Sequence, residues 1–289
     1  MPKYIDIHSH VNFKAFDGDR EEVIERALAQ DTWVINVGTQ IDTSQKAVEL
    51  ANQYKEGVYA IVGLHPIHTG ASYHDEKELG PAFAKASDGQ GRVEGFVSRG
   101  EEFDKEKYRE LLADPKVVAI GECGLDYYRL EADSIEKQKK DFIAQIELAN
   151  EFNKPLMLHI REAYDDALEI LKTHARVKGN VHFFAGSPEQ AKKFLDFGFT
   201  LSFTGVITFP PKADQPRADT LLEVIKQIPL DMILSETDAP YVAPVPYRGK
   251  RNEPSYVREV VKRIAEIKGL DEEGVAKILI ANARRVFAI

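Results

Sequence analysis

The stretch YIDIHSHV, Tyr4 to Val11, is a run of apolar, strand-like residues broken at alternate positions by Asp6, His8 and His10. In a β-strand, residues i and i+2 project from one face, roughly 6.6 Å apart along the chain. His8 and His10 therefore point to one side near the strand's carboxyl end, as two imidazoles converging on one ion would. On a helix the same spacing would turn them apart. Alone, a His-x-His pair reads more readily as two hydrogen-bonded core histidines, so its meaning depends on what the other strands carry.

Working outward, short β-branched runs alternate with longer amphipathic stretches. Strands are predicted at Tyr4–Val11, Trp33–Gly38, Val58–Leu64, Val117–Glu122, Pro155–Ile160, Asn180–Phe184, Thr200–Thr204 and Met232–Thr237. Between most of them lie helical patterns such as EEVIERALAQ, SIEKQKKDFIAQIELANEF, SPEQAKKFLDFG and RADTLLEVIKQI. In the second of these, Phe142, Ile146 and Ala149 form one apolar stripe. Strand and helix repeated eight times in 289 residues is what an α/β fold of the parallel (β/α)8 TIM-barrel type requires, with residues 1–289 as a single domain. A doubly wound open sheet is the competing topology. The barrel is preferred because several strands end in the same chemistry, and only closure aims eight strand ends at one point. The long interval from Leu64 to Val117 is expected to place extra loops or helices over the mouth. The final patterns, SYVREVVKRIAEIKG and GVAKILIANARRVF, are expected to close the outer ring.

Hydrophobic residues make up 43% of the chain, enough to bury a large core. With 38 basic and 47 acidic residues the net charge is −9, which argues against a broad nucleic-acid coat but not against an enzyme gripping one phosphate locally. The single cysteine, Cys123, cannot form an intramolecular disulfide, and beside Glu122 it reads as a small core residue pointing away from the barrel axis. The amino terminus lacks a signal-peptide profile, and no stretch approaches the roughly 18 apolar residues that cross a bilayer, so a cytoplasmic protein without a membrane partner is expected.

The other strands do carry matching groups. VVAIGECGLD puts Glu122 at the end of the fourth strand, PLMLHIREA puts His159 at the end of the fifth, NVHFFAGS puts His182 in the sixth, and MILSETDAPY puts Asp238 just beyond the eighth. Each interrupts a run that should be buried, where an unpaired charge or imidazole is costly. Any one of them alone reads as a satisfied core polar group. Four histidines and two carboxylates near the same end of barrel strands read best as ligands satisfying one another through bound cations. Six ligands suit two ions sharing a carboxylate, with Glu122 the expected bridge. The nitrogen and oxygen set suits Zn²⁺, Mn²⁺ or Fe²⁺ better than an all-oxygen Mg²⁺ cage, though added Mg²⁺ is compatible. A metal pair makes water more acidic and steadies both oxygens of a displacement. Asp238 is the expected residue to orient that water and move its proton, and Glu236 on the same face is read either as a support one layer deeper or as a structural ion pair.

His-x-His on the first strand, GLHP, IGECGLDYYR, HIREA, VHFFAGS and SETDAPY…RGKRNEP together resemble, in order from Asp6 to about Pro254, the TatD-type metal-dependent deoxyribonucleases of the amidohydrolase superfamily. The resemblance implies a TIM barrel, two divalent cations, and hydrolysis of phosphodiesters in DNA, commonly from single strands or 3′ ends. By motif, the family's metal ligands fall on His8, His10, Glu122, His159, His182 and Asp238. Relatives often read Cys-Phe-Ser-Gly after the sixth-strand histidine, where this chain has Phe183-Phe184-Ala185-Gly186. Amidase-type relatives often bridge their metals with a modified lysine on the fourth strand, a place Glu122 takes here.

His65 in GLHP either contacts a phosphate or is a hydrogen-bonded loop histidine. Arg248, Lys250 and Arg251 in YRGKRNEP follow the eighth strand, where barrels often bind phosphate, and Asn252 is expected to add a hydrogen bond to substrate. Tyr127, Tyr128 and Phe209 either stack on bases or pack under loops. His68, His74 and His174 fit no constellation and read as loop or surface residues. Two rival functions share these residues: hydrolysis of a C–N or C–O bond in a small molecule, and a binding barrel whose metals only stabilise it.

Overall fold

The computed structural model describes residues 2–70, 100–128, 134–210 and 216–289. Each predicted strand region forms a strand: β1 Tyr4–Ser9, β2 Thr32–Val37, β3 Val58–Val62, β4 Val117–Asp126, β5 Leu156–Arg161, β6 Gly179–Val181, β7 Thr200–Phe203 and β8 Ile233–Ser235. All eight are parallel and hydrogen-bonded in chain order. Nine helices follow among the described residues: α1 Arg20–Ala29, α2 Ile41–Asn52, α3 Lys105–Leu112, α4 Ser134–Phe152, α5 Tyr164–His174, α6 Pro188–Asp196, α7 Pro216–Gln227, α8 Val257–Lys268 and α9 Glu272–Phe287. The arrangement is a nearly closed (β/α)8 TIM barrel. Of the long interval after Leu64, the described part holds a 3₁₀ turn, Pro66–Thr69, and α3; His74 lies outside the described residues. No described helix is long and apolar enough to cross a membrane.

Strand alternation sorts the core into two layers. Val34, Ala60, Leu158, Val181, Leu201 and Ile233 face outward, in one cluster with the helix residues Phe142, Leu168, Phe194, Val224 and Ile264. Ile7, Ile35, Ile61, Met157 and Leu234 come from five strands and form a second cluster, a contact possible only inside the barrel. Ala283 and Phe287 of α9 belong to this inner cluster. Val275, Ala276 and Leu279 of the same helix belong to the outer cluster, so the last helix contributes to the outer ring as expected and also covers the inner core with its final turns.

Two register shifts aim the chemistry. One lies in β1 between Asp6 and Ser9, and one in β4 between Ile120 and Cys123. Such bulges re-aim side chains near functional sites. The first lets Ile7 fill the core while His8, its neighbour, faces the mouth. The second turns Glu122 inward and leaves Cys123 in the outer cluster. Buried Gln138 and Gln145, one heptad apart on α4, then fix the strand ends: Gln145 brackets the Leu64 amide and carbonyl at 2.8 and 3.0 Å, and Gln138 brackets those of Asp126 at 2.9 and 3.0 Å.

The seam between β8 and β1 is thin. β8 ends at Ser235, and closure relies on the bonds Asp238 N–H to His8 O (2.9 Å) and His10 N–H to Ala239 O (2.7 Å). Asp6 reinforces it from one residue further back. Its carboxylate accepts from the Thr237 amide (2.8 Å), the Thr237 hydroxyl (2.5 Å) and the His8 amide (3.3 Å). Despite its alternation with His8 and His10, Asp6 is thus turned to the seam. Asp6→Ala strips buried Thr237 donors of their acceptor, and urea denaturation should show a loss of roughly 1–3 kcal/mol; Asp6→Asn, which keeps one acceptor oxygen, should lose less.

Candidate metal centre

At the carboxyl ends of the strands, buried Glu122 is surrounded by imidazoles. Its Oε2 lies 3.2 Å from His8 Nε2 and 3.7 Å from His10 Nε2. Its Oε1 lies 2.9 Å from His159 Nδ1, 3.0 Å from His182 Nε2 and 3.2 Å from His65 Nε2. Asp238 Oδ1 stands 3.4 Å from His10 Nε2 and 3.9 Å from His8 Nε2. The structure therefore brings together all six residues read from the strands, and adds His65. The rings are themselves packed: His8 stacks on His182 at 3.8 Å, and His10 on Phe13 at 4.4 Å. Potential ligand atoms group within 4.8 Å of one another as His8/His10/Asp238, His8/Glu122/His182 and His65/Glu122/His159.

The hydrogen bonds decide which nitrogens carry lone pairs. His10 Nδ1 lies 2.9 Å from the Val37 carbonyl, which can only accept, so the hydrogen sits on Nδ1 and Nε2 is bare towards Asp238. His159 stands between two carboxylates, Nε2 3.0 Å from Asp126 Oδ2 and Nδ1 2.9 Å from Glu122 Oε1; with its hydrogen on Nε2, the tautomer a cation at Glu122 would select, it presents the Nδ1 lone pair to the centre. His182 Nδ1 faces Glu236 Oε1 at 3.3 Å, an ion-pair contact without hydrogen-bond alignment, and presents Nε2 to Glu122. His8 Nδ1 meets no acceptor among the described residues, while its Nε2 lies 3.2 Å from His10 Nε2. Lone pairs of imidazoles and carboxylates at such distances repel unless a shared cation or proton lies between them. The donor set thus fits divalent metal, with acceptors hydrogen-bonded behind His10 and His159 and Glu236 facing His182, the kind of outer support that metal-binding histidines usually have.

His65 differs. Its Nδ1 accepts from the Ile67 amide at 3.1 Å, so its own hydrogen must sit on Nε2, pointing at Glu122. Although its ring is close enough to group with Glu122 and His159, in this arrangement it offers a proton and not a lone pair.

Electrostatics follow the same contacts. Burial alone would raise Glu122, but the neighbouring His182, His65 and His8 and the His159 hydrogen bond hold it well below the usual carboxylate range. Burial and adjacent His182 lower His8 to about 3, and burial with adjacent His159 lowers His65 to about 4. Against burial, Asp238 raises His10, Asp126 and Glu122 raise His159, and Glu122 with Glu236 raise His182 well above its ordinary value.

Other expected contacts sort differently. Asn252 is buried, and its amide nitrogen donates to the Thr237 and Tyr241 carbonyls at 2.8 and 2.6 Å; it braces the loop and is not presented to substrate. Arg251 grips both Asp19 oxygens, at 2.8 and 2.5 Å, so it ties two loops together instead of joining a phosphate patch. Arg248 is exposed and lies over the Phe209 ring at 4.4 Å. Tyr127 donates to Asp166 and packs as a support, while Tyr128 is exposed under Arg161. Cys123 is buried, and burial pushes its thiol up, away from reactivity. His68 is buried in the 3₁₀ turn, not at the surface, because that turn tucks it 6.0 Å from the His65 ring. His174 sits half-buried in the last turn of α5.

Asp126 is the functional residue missed from the sequence. β4 continues past Glu122, and positions 122, 124 and 126 alternate on one face, a signal present in ECGLD but cut off by ending the strand at Glu122. Gly124 between them has φ 140°, and a Cβ there would lie 2.0 Å from the His159 carbonyl oxygen, so only glycine lets the two strands carry Glu122, Asp126 and His159 this close.

Comparison with known proteins agrees with the geometry. The sequence profile of the family described as TatD related DNase matches residues 5–288. The metal-dependent hydrolase YabD of Bacillus subtilis is 39% identical over 98% of this chain and 98% of its own. A protein of Erwinia tasmaniensis named 3′-5′ ssDNA/RNA exonuclease TatD is 33% identical, again covering 98% of both. The crystal structure of YjjV, a TatD homologue from Escherichia coli, superposes with a TM-score of 0.78 at 30% identity, covering 99% of this chain and 98% of that one.

Asp126→Ala removes the acceptor that holds His159 Nε2. Titration of chelator-treated protein with Mn²⁺, followed by electron paramagnetic resonance, should show affinity at one site falling roughly 10- to 100-fold.

Proposed function

The chain belongs to the TatD-related DNase family of metal-dependent hydrolases, and we propose from that premise that it cleaves phosphodiester bonds in DNA, releasing nucleotides from single strands or 3′ ends. The observation that carries this reading is the convergence of imidazole lone pairs on buried Glu122 and Asp238. In this reading His8, His10 and Asp238, with Glu122 shared, hold one divalent cation, and Glu122, His159 and His182 hold a second. Zn²⁺, Mn²⁺ and Mg²⁺ are the candidates, the nitrogen-rich set favouring the first two. Bound there, such a pair lowers the pKa of water and stabilises the attacking and leaving oxygens of a phosphoryl displacement.

The protein's own groups supply the rest. Asp238 orients the attacking water and accepts its proton. Its backbone is held in the left-handed region, φ 56°, by its amide bond to His8 O and by the Tyr241 amide donating to its carbonyl. His65 aims an N–H at the centre and donates to a phosphate oxygen. Arg248 lies over the Phe209 ring, and its guanidinium N–H groups pair with phosphate. The Erwinia relative, a 3′-5′ ssDNA/RNA exonuclease by name, supports the direction and the single-stranded substrate.

The test uses 5′-labelled single-stranded oligodeoxynucleotides and chelator-treated protein. Returning Mn²⁺, Zn²⁺ or Mg²⁺ should restore stepwise shortening from a free 3′ end and not from a blocked one; no release with any of the three overturns the reading. Glu122→Ala should abolish turnover with the far-UV circular dichroism intact, and substantial residual activity would exclude the shared-ligand role. Arg248→Ala should raise KM for the oligonucleotide by about tenfold, the worth of one charged hydrogen bond to phosphate.

A further inference from the structure

We propose that Arg161, stacked on Tyr128, grips a backbone phosphate of the substrate strand adjacent to the one being cleaved. The proposal rests on the nuclease reading and adds a recognition residue to it. Along β5, Met157 belongs to the inner core, His159 to the centre, and Arg161 is the next residue on the same face, roughly 6.6 Å further towards the rim. Its guanidinium carbon lies 3.6 Å from the centroid of the exposed Tyr128 ring. Arg161 has no carboxylate partner among the described residues, whereas Arg26 in the last turn of α1 and Arg251 in the loop beyond β8 are both held by acidic side chains.

The stack is tied to the centre. The Tyr128 amide donates to Asp126 Oδ1 at 2.9 Å, and Asp126 Oδ2 holds His159. One carboxylate therefore sets the position of an imidazole at the centre and of the aromatic platform above it. Stacking occupies the guanidinium's face and leaves its edge, a two-pronged donor that matches two phosphate oxygens. A phosphodiester one link from the centre is the anion this geometry fits. Arg248 on Phe209, beyond β7, is the corresponding stack on another side of the mouth. The two arginines mark a path for a strand crossing the centre.

The experiment compares wild type, Arg161→Gln and Arg161→Lys in the metal-loaded full chain. One substrate is a single-stranded decanucleotide, and the other is bis(p-nitrophenyl) phosphate, which has one phosphate and no neighbour. Arg161→Gln should raise KM for the decanucleotide roughly tenfold, with a much smaller change in kcat. The ratio of kcat/KM between the two substrates should fall by a similar factor. The slope of log KM against log salt should flatten by about 0.7, the signature of one lost phosphate contact on a single strand. Arg161→Lys, charged but without the planar fork, should fall between the two. Equal losses on both substrates, or an unchanged salt slope, overturn the proposal while leaving the nuclease reading intact. If wild type cleaves the small ester and not the decanucleotide, the nuclease reading fails and this proposal falls with it.

Discussion

A carboxylate only 3% exposed, with four imidazole nitrogens within 3.2 Å of its oxygens, is the constraint on which this barrel is organised. Taking a charge out of water costs several kcal/mol unless its partners are well placed. Glu122 can be buried only where the ends of β1, β3, β4, β5 and β6 meet. That requirement explains local features that would otherwise be defects: the bulge before Cys123, the glycine at 124, and non-glycine residues in the left-handed region at Glu162, Phe183 and Asp238. Each such backbone costs on the order of 1–3 kcal/mol and persists only where the surroundings determine it. Here they do: the Phe183 amide is fixed by Glu236 at 2.6 Å and the Asp238 amide by His8 O at 2.9 Å.

The barrel interior is graded to serve that centre. Its floor is apolar, built from Ile35, Ile61, Met157 and Leu234 and closed by α9. Above it Asn180, Ser202 and Glu236 form a buried polar layer, with Asn180 Nδ2 donating to Ser202 Oγ at 2.7 Å and Ser202 Oγ donating to Glu236 Oε2 at 2.7 Å. Glu236 then faces His182. Val37 O and Asp126 play the same part behind His10 and His159, so the rings at the centre are oriented from outside by groups that do not reach it. A buried, densely bonded network of this kind is stiff. Stiffness matters because a metal centre depends on lone pairs converging within tenths of an ångström.

Much of this was legible in one dimension. Alternation sets strand faces, and an imidazole or carboxylate ending an apolar run has few places to go other than a shared centre, so His8, His10, Glu122, His159, His182 and Asp238 stood out. What alternation cannot encode is a change of register. The bulge in β1 separates Asp6 from the histidines it alternates with and hands it to Thr237. Charged loop residues were ambiguous for a different reason. Arg248 and Arg251 lie three positions apart with the same charge, yet one stacks on a ring at the mouth and the other is held by Asp19, more than two hundred residues away in sequence. Asn252 likewise looks like a ligand until the carbonyls of Thr237 and Tyr241 appear beside it. Long-range partners decide these cases, and no local pattern names them.

A net charge of −9 has to be reconciled with the polyanionic substrate proposed. At distances beyond the Debye length, about 8 Å at physiological ionic strength, the field of the whole chain is screened and repels little. Within that range the local balance decides. Several of the described arginines are paired with acids, as in Arg20–Asp17, Arg109–Glu151 and Arg263–Glu266, which offsets their charge locally. Arg161 and Arg248 are held instead by uncharged rings, which fix the guanidinium without neutralising it. Aromatic support of this kind keeps both guanidinium groups in place without cancelling their charge. In the proposed nuclease reading, an acidic surface with two such positive positions would hold a strand at the mouth and only weakly elsewhere, as working on ends and releasing the rest would need.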